Sequence, residues 1–110
     1  MKTFKFNFCD VDFLVRLNAT TYCNNGTLAV TMENIDPEQD DPNGWEPFGV
    51  ATVNLPESLL LPENVAFVDE NNMPGVGKFL SANKLAERAP YTGYSGFCTY
   101  PAYRFFPERF

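Results

Sequence analysis

The sequence contains no histidine. The chain therefore lacks the commonest general base, the Ser-His and Cys-His nucleophile pairs and the usual zinc or iron ligand sets. Paired carboxylates alone can support glycoside hydrolysis, but a chain of 110 residues offers little room for a sugar cleft. We expect a protein that is not an enzyme and that carries no metal ion or other cofactor.

Cysteine is also scarce. The three cysteines, Cys9, Cys23 and Cys98, are an odd number without C-x-x-C spacing, which argues against a disulfide framework and against a zinc cluster. We expect reduced thiols. Cys98 stands among aromatic residues and has no histidine to activate it, so a buried structural role is favoured over a nucleophilic one.

Long apolar runs are absent, so no segment approaches the roughly 20 residues that a membrane-spanning helix needs. The N-terminus alternates apolar and polar residues instead of forming a signal-peptide core. The composition does not change along the chain in a way that divides it, and the length suits one domain. These features predict a single cytoplasmic domain over residues 1–110 without membrane contact, and they leave its oligomeric state open.

Basic residues are few, with eight against 14 acidic ones and a net charge of −6. The charge is uneven, since residues 1–70 hold 12 acids and three bases whereas residues 71–110 hold two acids and five bases. Phosphate contacts require Lys and Arg, so binding to nucleic acid is disfavoured. The densest acidic stretch runs from Glu33 to Glu46 and contains no base.

The first third of the chain alternates apolar and polar residues as antiparallel strands do. A two-residue turn at Cys9-Asp10 joins the first two strands. Asn25-Gly26, the strongest short hairpin signal, predicts a second turn that pairs Thr21 with Val30. Both turns place the apolar residues on one face, and this agreement predicts a three-stranded meander.

The second half predicts a fourth strand over Phe48–Leu55 and a short strand over Val65–Val68. Asn and Pro residues that are typical of a helix start come next, and they predict a helix from Asn72 to about Arg88, before Pro90. The complete prediction is an α+β fold. It has an antiparallel, mostly meander sheet of four to five strands, one packed α-helix and an aromatic C-terminal tail.

Aromatic residues in the tail recur every three positions, a spacing that suits an extended, polyproline-II-like path with one aromatic side. They are Tyr91, Tyr94, Phe97, Tyr100, Tyr103 and Phe106. The tail either wraps the sheet and helix as core, or stacks the bases of single-stranded nucleic acid together with Arg88, Arg104 and Arg109, or holds a protein partner. Wrapping is favoured, because so many exposed aromatics would promote aggregation.

Three motifs carry a resemblance: VNLP at Val53–Pro56, AFVDENN at Ala66–Asn72 and SGFCTYPAYRF at Ser95–Phe105. Together they resemble an uncharacterised family of bacterial proteins of about this length, whose members share VNLP, AFVDxNN and SGFCTYPxYxF motifs. That family is carried largely by conjugative elements and phages. The resemblance covers residues 50–106 and implies an accessory protein of a mobile element, without implying a reaction.

The segment Asp69-Glu70-Asn71-Asn72, with Lys78 about one helical turn later, is one candidate site, in which Asp69 and Asn72 supply the polar groups. Polar groups at the start of a helix would orient a ligand or a metal ion. The same residues also cap a helix and fix the preceding turn without any ligand. Capping is the favoured interpretation.

The acidic stretch is the candidate contact surface. Its acids would meet basic residues of a partner, and its lone tryptophan would anchor the contact or fold back onto its own loop. The residues concerned are Asp36, Glu38, Asp40, Asp41 and Trp45. An acidic surface also serves ordinary solubility, and for any single carboxylate this is the favoured explanation.

Two functional hypotheses follow. In the first, the acidic surface occupies the basic, nucleic-acid-binding surface of a host protein, as an inhibitor of the anti-CRISPR or anti-restriction type would. In the second, the basic and aromatic C-terminal third binds single-stranded nucleic acid of the mobile element. The first is favoured, because it agrees with the sign of the net charge.

Overall fold

A computed structural model describes residues 2–35 and 45–110. Within these ranges the chain forms eight strands, one α-helix and two short 3-10 helices, so the predicted α+β class is confirmed. The strands are β1 (Phe4–Phe8), β2 (Val11–Thr21), β3 (Leu28–Ile35), β4 (Trp45–Val50), β5 (Thr52–Val53), β6 (Val65–Val68), β7 (Ala86–Ser95) and β8 (Cys98–Phe105). The α-helix, α1, spans Val76–Ala82, and the 3-10 helices span Pro56–Leu60 and Pro107–Arg109.

The described strands divide between two antiparallel sheets. Sheet A has the order β1-β2-β3-β4 and is the predicted meander, whereas sheet B has the order β5-β6-β8-β7. Antiparallel pairing and the packed helix agree with the prediction. The division into two four-stranded sheets is what the sequence pattern did not indicate.

The chain passes from one sheet to the other at Ala51, in the middle of the strand predicted over Phe48–Leu55. The Ala51 N–H donates to the carbonyl of Val30 in sheet A at 2.8 Å, and the Ala51 carbonyl accepts from the Asp69 N–H, directly after β6, at 2.9 Å. Ala51 is completely buried. One residue therefore ties the two sheets together through both of its backbone groups.

The first turn has two residues, as predicted, and it places Phe6 opposite Phe13. Cys9 and Asp10 have φ angles of 52° and 63°. Positive φ at both central positions defines a type I′ turn, whose twist matches that of the strands.

The second turn is longer than predicted. Thr21 pairs with Leu28, not with Val30, because the Tyr22 N–H donates to the Thr27 carbonyl and closes a four-residue loop. Gly26 has a φ of 69°, whereas Asn25 keeps a negative φ and does not form a two-residue turn with it. A shift of two residues leaves every side chain on the same face, so the predicted meander is confirmed despite the wrong register.

The helix is much shorter than predicted. It ends at Ala82, Lys84 adopts a φ of 56°, and Ala86 already pairs with Phe105 as the start of β7. The prediction of a helix to Arg88 was wrong, because strand pairing with β8 outweighs the high intrinsic helical propensity of residues 84–88.

One hydrophobic core lies between sheet A, α1 and sheet B. The helix residues Val76, Phe79 and Leu80 are all buried in it. The Phe79 ring lies 4.7 Å from the ring of Phe6, centroid to centroid. A smaller cluster, which includes Leu55 and Phe67, covers the opposite face of sheet B, so β6 is buried on both faces.

The tail is a β-hairpin, and the prediction of an unpaired extended path was wrong. Ser95 pairs with Cys98 across a two-residue turn, in which Gly96 has a φ of 59°. Strands alternate faces with a period of two, so aromatics spaced three apart point to opposite sides. Tyr103 packs against the main core and Tyr100 against the smaller cluster.

Candidate functional site

The candidate contact surface lies largely outside the described residues, which include none of Asp36, Glu38, Asp40 and Asp41. Trp45 is described by its backbone, as the first residue of β4, opposite Ile35. The acidic stretch therefore joins two paired strand ends at one edge of sheet A. Within the described part, β4 is hydrogen-bonded on one side only, to β3.

Glu33, the first acid of the stretch, is neutralised within the protein. Its carboxylate lies 3.3 Å from the Arg16 guanidinium and accepts a hydrogen bond from the Asn18 amide. Glu46, on β4, is exposed. Of the two acids of the stretch that the structure describes, Glu33 is therefore paired within the protein and Glu46 is exposed.

The candidate at Asp69 and Asn72 is a tight turn between β6 and α1. The Asp69 carboxylate accepts from the backbone N–H of Asn72 at 3.1 Å and from its side-chain amide at 2.9 Å. The Asp69 carbonyl accepts from the Met73 N–H at 3.0 Å. Asp69 therefore fixes the turn before the helix, as predicted, but the predicted capping of α1 by Asp69 and Asn72 was wrong, because the hydrogen bonds of Asp69 stay within the turn. Lys78 is exposed on α1.

The carboxylate that accepts hydrogen bonds at the start of the helix is that of Glu70, a member of the candidate segment to which the sequence pattern assigned no role. Its two oxygens accept from the N–H groups of Gly75 at 2.9 Å and Gly77 at 2.7 Å. Negative charge at this end of a helix is favourable. Glu70 reaches the helix from several residues upstream, beyond the spacing of an ordinary capping box.

A cavity of about 420 Å³ opens between the end of sheet A and the Asp69 turn. Aromatic and aliphatic side chains form most of its wall, and Asp69 and Asn72 supply its polar side. The lining residues are Phe8, Phe13, Phe48, Gly49, Val50, Thr52, Asp69, Asn72 and Met73. Its size lies within the range of about 300 to 1,000 Å³ that is typical of ligand pockets.

The three phenylalanines of this cavity form a compact group around Phe48. The rings of Phe8 and Phe48 lie 5.6 Å apart at 81°, and those of Phe13 and Phe48 lie 4.9 Å apart at 59°. All three are only partly buried. Three aromatic rings, whose faces carry negative partial charge, thus stand among the lining residues of the cavity.

The hairpin carries exposed aromatics. Tyr94 is 64% exposed, and Phe97 is fully exposed at the turn. The Tyr100 phenol is close to Cys98 and Asp69, and its pKa is raised above 10.0 by desolvation and then by these two neighbours. Cys98 is half-buried, where a buried position was expected, and Cys9 and Cys23 are exposed; all three thiols are free.

Two of the three arginines considered for nucleic-acid binding have guanidinium groups that are hydrogen-bonded to backbone carbonyls of the protein. The Arg88 guanidinium donates to the carbonyls of Tyr91 at 2.8 Å and Ala102 at 3.0 Å, inside an irregularity of β7. Arg109 donates to the Lys84 carbonyl at 2.9 Å and stacks on Phe106 at 4.4 Å.

Residues 16–110 match the family model described as a domain of unknown function, DUF4313. The chain belongs to the DUF4313 family. The match includes β4, the Asp69 turn, α1 and the β7-β8 hairpin, whereas Phe8 and Phe13 precede it. No curated protein and no solved structure matches the chain.

In this DUF4313 member, no three Cys, Asp or Glu side chains of the described ranges come together in a way that could hold a metal ion. None of the helices within those ranges has the length and apolar character required to cross a membrane.

Proposed function

We propose that this chain is a non-enzymatic accessory protein of a mobile element or phage and acts by binding a host protein. The contact surface is the acidic stretch between β3 and β4, with Asp36, Glu38, Asp40 and Asp41 facing basic residues and Trp45 as an anchor. The partner presents a basic, nucleic-acid-binding surface. Its occupation inhibits a host defence in the manner of an anti-CRISPR or anti-restriction protein.

A run of acids without a base, between β3 and the edge strand β4, carries this proposal. The pair of Arg16 and Glu33 is the one ion pair among the described residues, and the following acids up to Glu46 have no base among them in the sequence. Opposite charge accelerates encounter with a basic surface and selects against acidic partners.

The alternative, binding of single-stranded nucleic acid by the C-terminal hairpin, has weaker support. Base-stacking sites combine aromatics with a free cationic groove. Tyr94 and Phe97 are exposed as that function requires, but Arg88 and Arg109 already bind carbonyl groups of the protein. Protein binding through the acidic surface needs none of these arginines.

The proposal predicts salt-sensitive capture of a nucleic-acid-binding host protein. Immobilised wild-type protein should retain a nuclease or nucleic-acid-binding complex from host lysate at low salt and release it as the ionic strength rises, because exposed ion pairs are screened. Replacing Asp36, Glu38, Asp40 and Asp41 by Asn or Gln should abolish capture. Mass spectrometry identifies the retained proteins.

A matched control removes the same number of charges elsewhere. Glu57, Glu63, Glu87 and Glu108 are all exposed, so their joint replacement by Gln changes the net charge equally and should leave capture intact. Identical partners for wild type and the loop variant, or equal losses in the two variants, would contradict the proposed surface.

A further inference from the structure

The cavity beside β4 combines an aromatic wall with a fixed carboxylate. Phe8, Phe13 and Phe48 line one side, and Asp69 lies among the residues of the other. An organic cation is attracted both to the faces of aromatic rings and to a carboxylate. The chemistry of the lining therefore fits a cation with a flat, delocalised charge.

Asp69 has the capacity to bind such a cation. Its two oxygens each accept one hydrogen bond from Asn72, and a carboxylate offers about four acceptor sites. It forms no ion pair with any described residue. The remaining lone pairs match the two parallel N–H groups of a guanidinium.

The position of Asp69 is set before any ligand arrives. Its backbone N–H donates to Ala51 at the junction of the sheets, and its carbonyl accepts from Met73. The Phe48 ring is held against Phe8 and Phe13. A preorganised site loses less entropy when it binds its ligand.

We infer that this cavity binds the guanidinium group of an arginine side chain presented by the basic partner. The inference rests on the proposed function, because it names an anchor that the partner inserts beside β4, the strand that follows the acidic stretch. Arginine is favoured over lysine, since guanidinium stacks on aromatic rings and binds carboxylates through two hydrogen bonds. Surfaces that bind nucleic acid are rich in this residue.

Titration with N-acetyl-arginine amide, followed by amide chemical shifts in NMR spectra, tests the cavity directly. Saturable shifts are expected for the cavity residues Gly49, Val50, Asn72 and Met73. The corresponding citrulline amide has nearly the same shape without the charge, and it should cause no saturable shift at the same concentrations.

Two variants locate the binding. Asp69→Asn keeps an oxygen for the Asn72 N–H and should raise the dissociation constant about tenfold or more, whereas Glu63→Gln, an equal change of charge outside the cavity, should leave it unchanged. Phe48→Leu keeps an apolar wall without a ring face and should weaken binding about twofold to fivefold. Dispersed amide spectra verify that each variant is folded.

Absence of saturable shifts, equal binding of the citrulline amide, or unchanged binding by folded Asp69→Asn and Phe48→Leu would overturn the inference. These failures are distinct from failure of the proposed function. If the arginine amide does not bind but capture still depends on the acidic stretch, the cavity inference alone fails. If it binds but the acidic stretch is dispensable for capture, the proposed surface fails.

Discussion

At the residue scale, two elements can approach closely where one of them carries a glycine, which has no side chain. Gly93 lies on β7, where a Cβ atom would come within 2.6 Å of Leu55 Cδ1 and 2.9 Å of the Phe67 ring. Leu55 and Phe67 are buried in the small cluster that covers sheet B. The absence of a side chain at Gly93 therefore allows the segment that contains Leu55 to pack on this sheet.

Replacement of Gly93 by Ala should destabilise the protein by about 1 to 3 kcal/mol, because a buried ring and a buried leucine must move to admit the methyl group. Gly49→Ala is the matched control. Its Cβ would meet only the terminal methyl of Met73, at 2.6 Å, and methionine adapts easily. Urea denaturation should show a clearly lower midpoint for Gly93→Ala than for Gly49→Ala, and equal midpoints would contradict this account.

At the scale of elements, the alternation of apolar and polar residues was sufficient to predict the strand faces, but the signal for the end of the helix was weak. The predicted faces of β1, β2 and β3 are correct, because alternation is a local property that a register shift of two residues does not alter. The end of α1 was not recognised. Asn83 follows the helix and its N–H donates to the Phe79 carbonyl, and asparagine at a helix end is a known but weak stop signal.

The hairpin of β7 and β8 also had a signal that was overlooked. Glycine at the first central position of a two-residue turn is typical of a type II′ hairpin, and Gly96-Phe97 has this pattern. The period of three among the aromatics concealed it. The irregularity of β7 around Pro90 could not be predicted from the local sequence. The Arg88 side chain donates to the Ala89 and Tyr91 carbonyls within it and also to the Ala102 carbonyl on the neighbouring strand.

The turn between β1 and β2 provides a test at this scale. Cys9 and Asp10 both adopt positive φ, a conformation that costs most residues about 1 to 2 kcal/mol and that Asn-Gly adopts readily. Cys9→Asn together with Asp10→Gly should therefore stabilise the protein by about 1 kcal/mol. Urea unfolding should show a higher midpoint with an unchanged slope.

Cys9→Ser distinguishes the effect of the backbone conformation from that of losing the thiol, since serine removes the thiol but has no preference for positive φ. It should leave the midpoint nearly unchanged. An Asn-Gly variant no more stable than the wild type would show that the turn is not under conformational strain.

At the scale of the whole molecule, two sheets share one core, and the chain crosses from one sheet to the other at a single residue, Ala51. The cavity beside this junction was not predictable, because it combines Phe8 and Phe13 of sheet A with Asp69 after β6, residues that no sequence pattern relates. The acids of the proposed contact surface are a run without a base, which the sequence alone shows. The chain connects these acids to the cavity through β4, because β4 follows them and its residues Phe48, Gly49 and Val50 line the cavity.

Thr52 strengthens this junction from within. Its side chain is almost fully buried, and although it belongs to sheet B, its hydroxyl accepts from the Val30 N–H of sheet A at 3.1 Å. The same hydroxyl is hydrogen-bonded to the Tyr22 hydroxyl at 2.9 Å. One side chain thus satisfies polar groups at the end of the second hairpin and in the centre of the core.

Thr52→Val should therefore destabilise the whole molecule although it preserves the shape of the side chain. The Val30 N–H would remain buried without a partner, at a cost of about 1 to 3 kcal/mol, whereas Thr20→Val at an exposed position of β2 should change stability by less than about 0.5 kcal/mol. Because the lost bond joins the sheets, exchange of the Val30 amide hydrogen should accelerate in the Thr52 variant. Unchanged protection of that amide, together with a wild-type unfolding midpoint, would show that the backbone bonds of Ala51 suffice to hold the two sheets together.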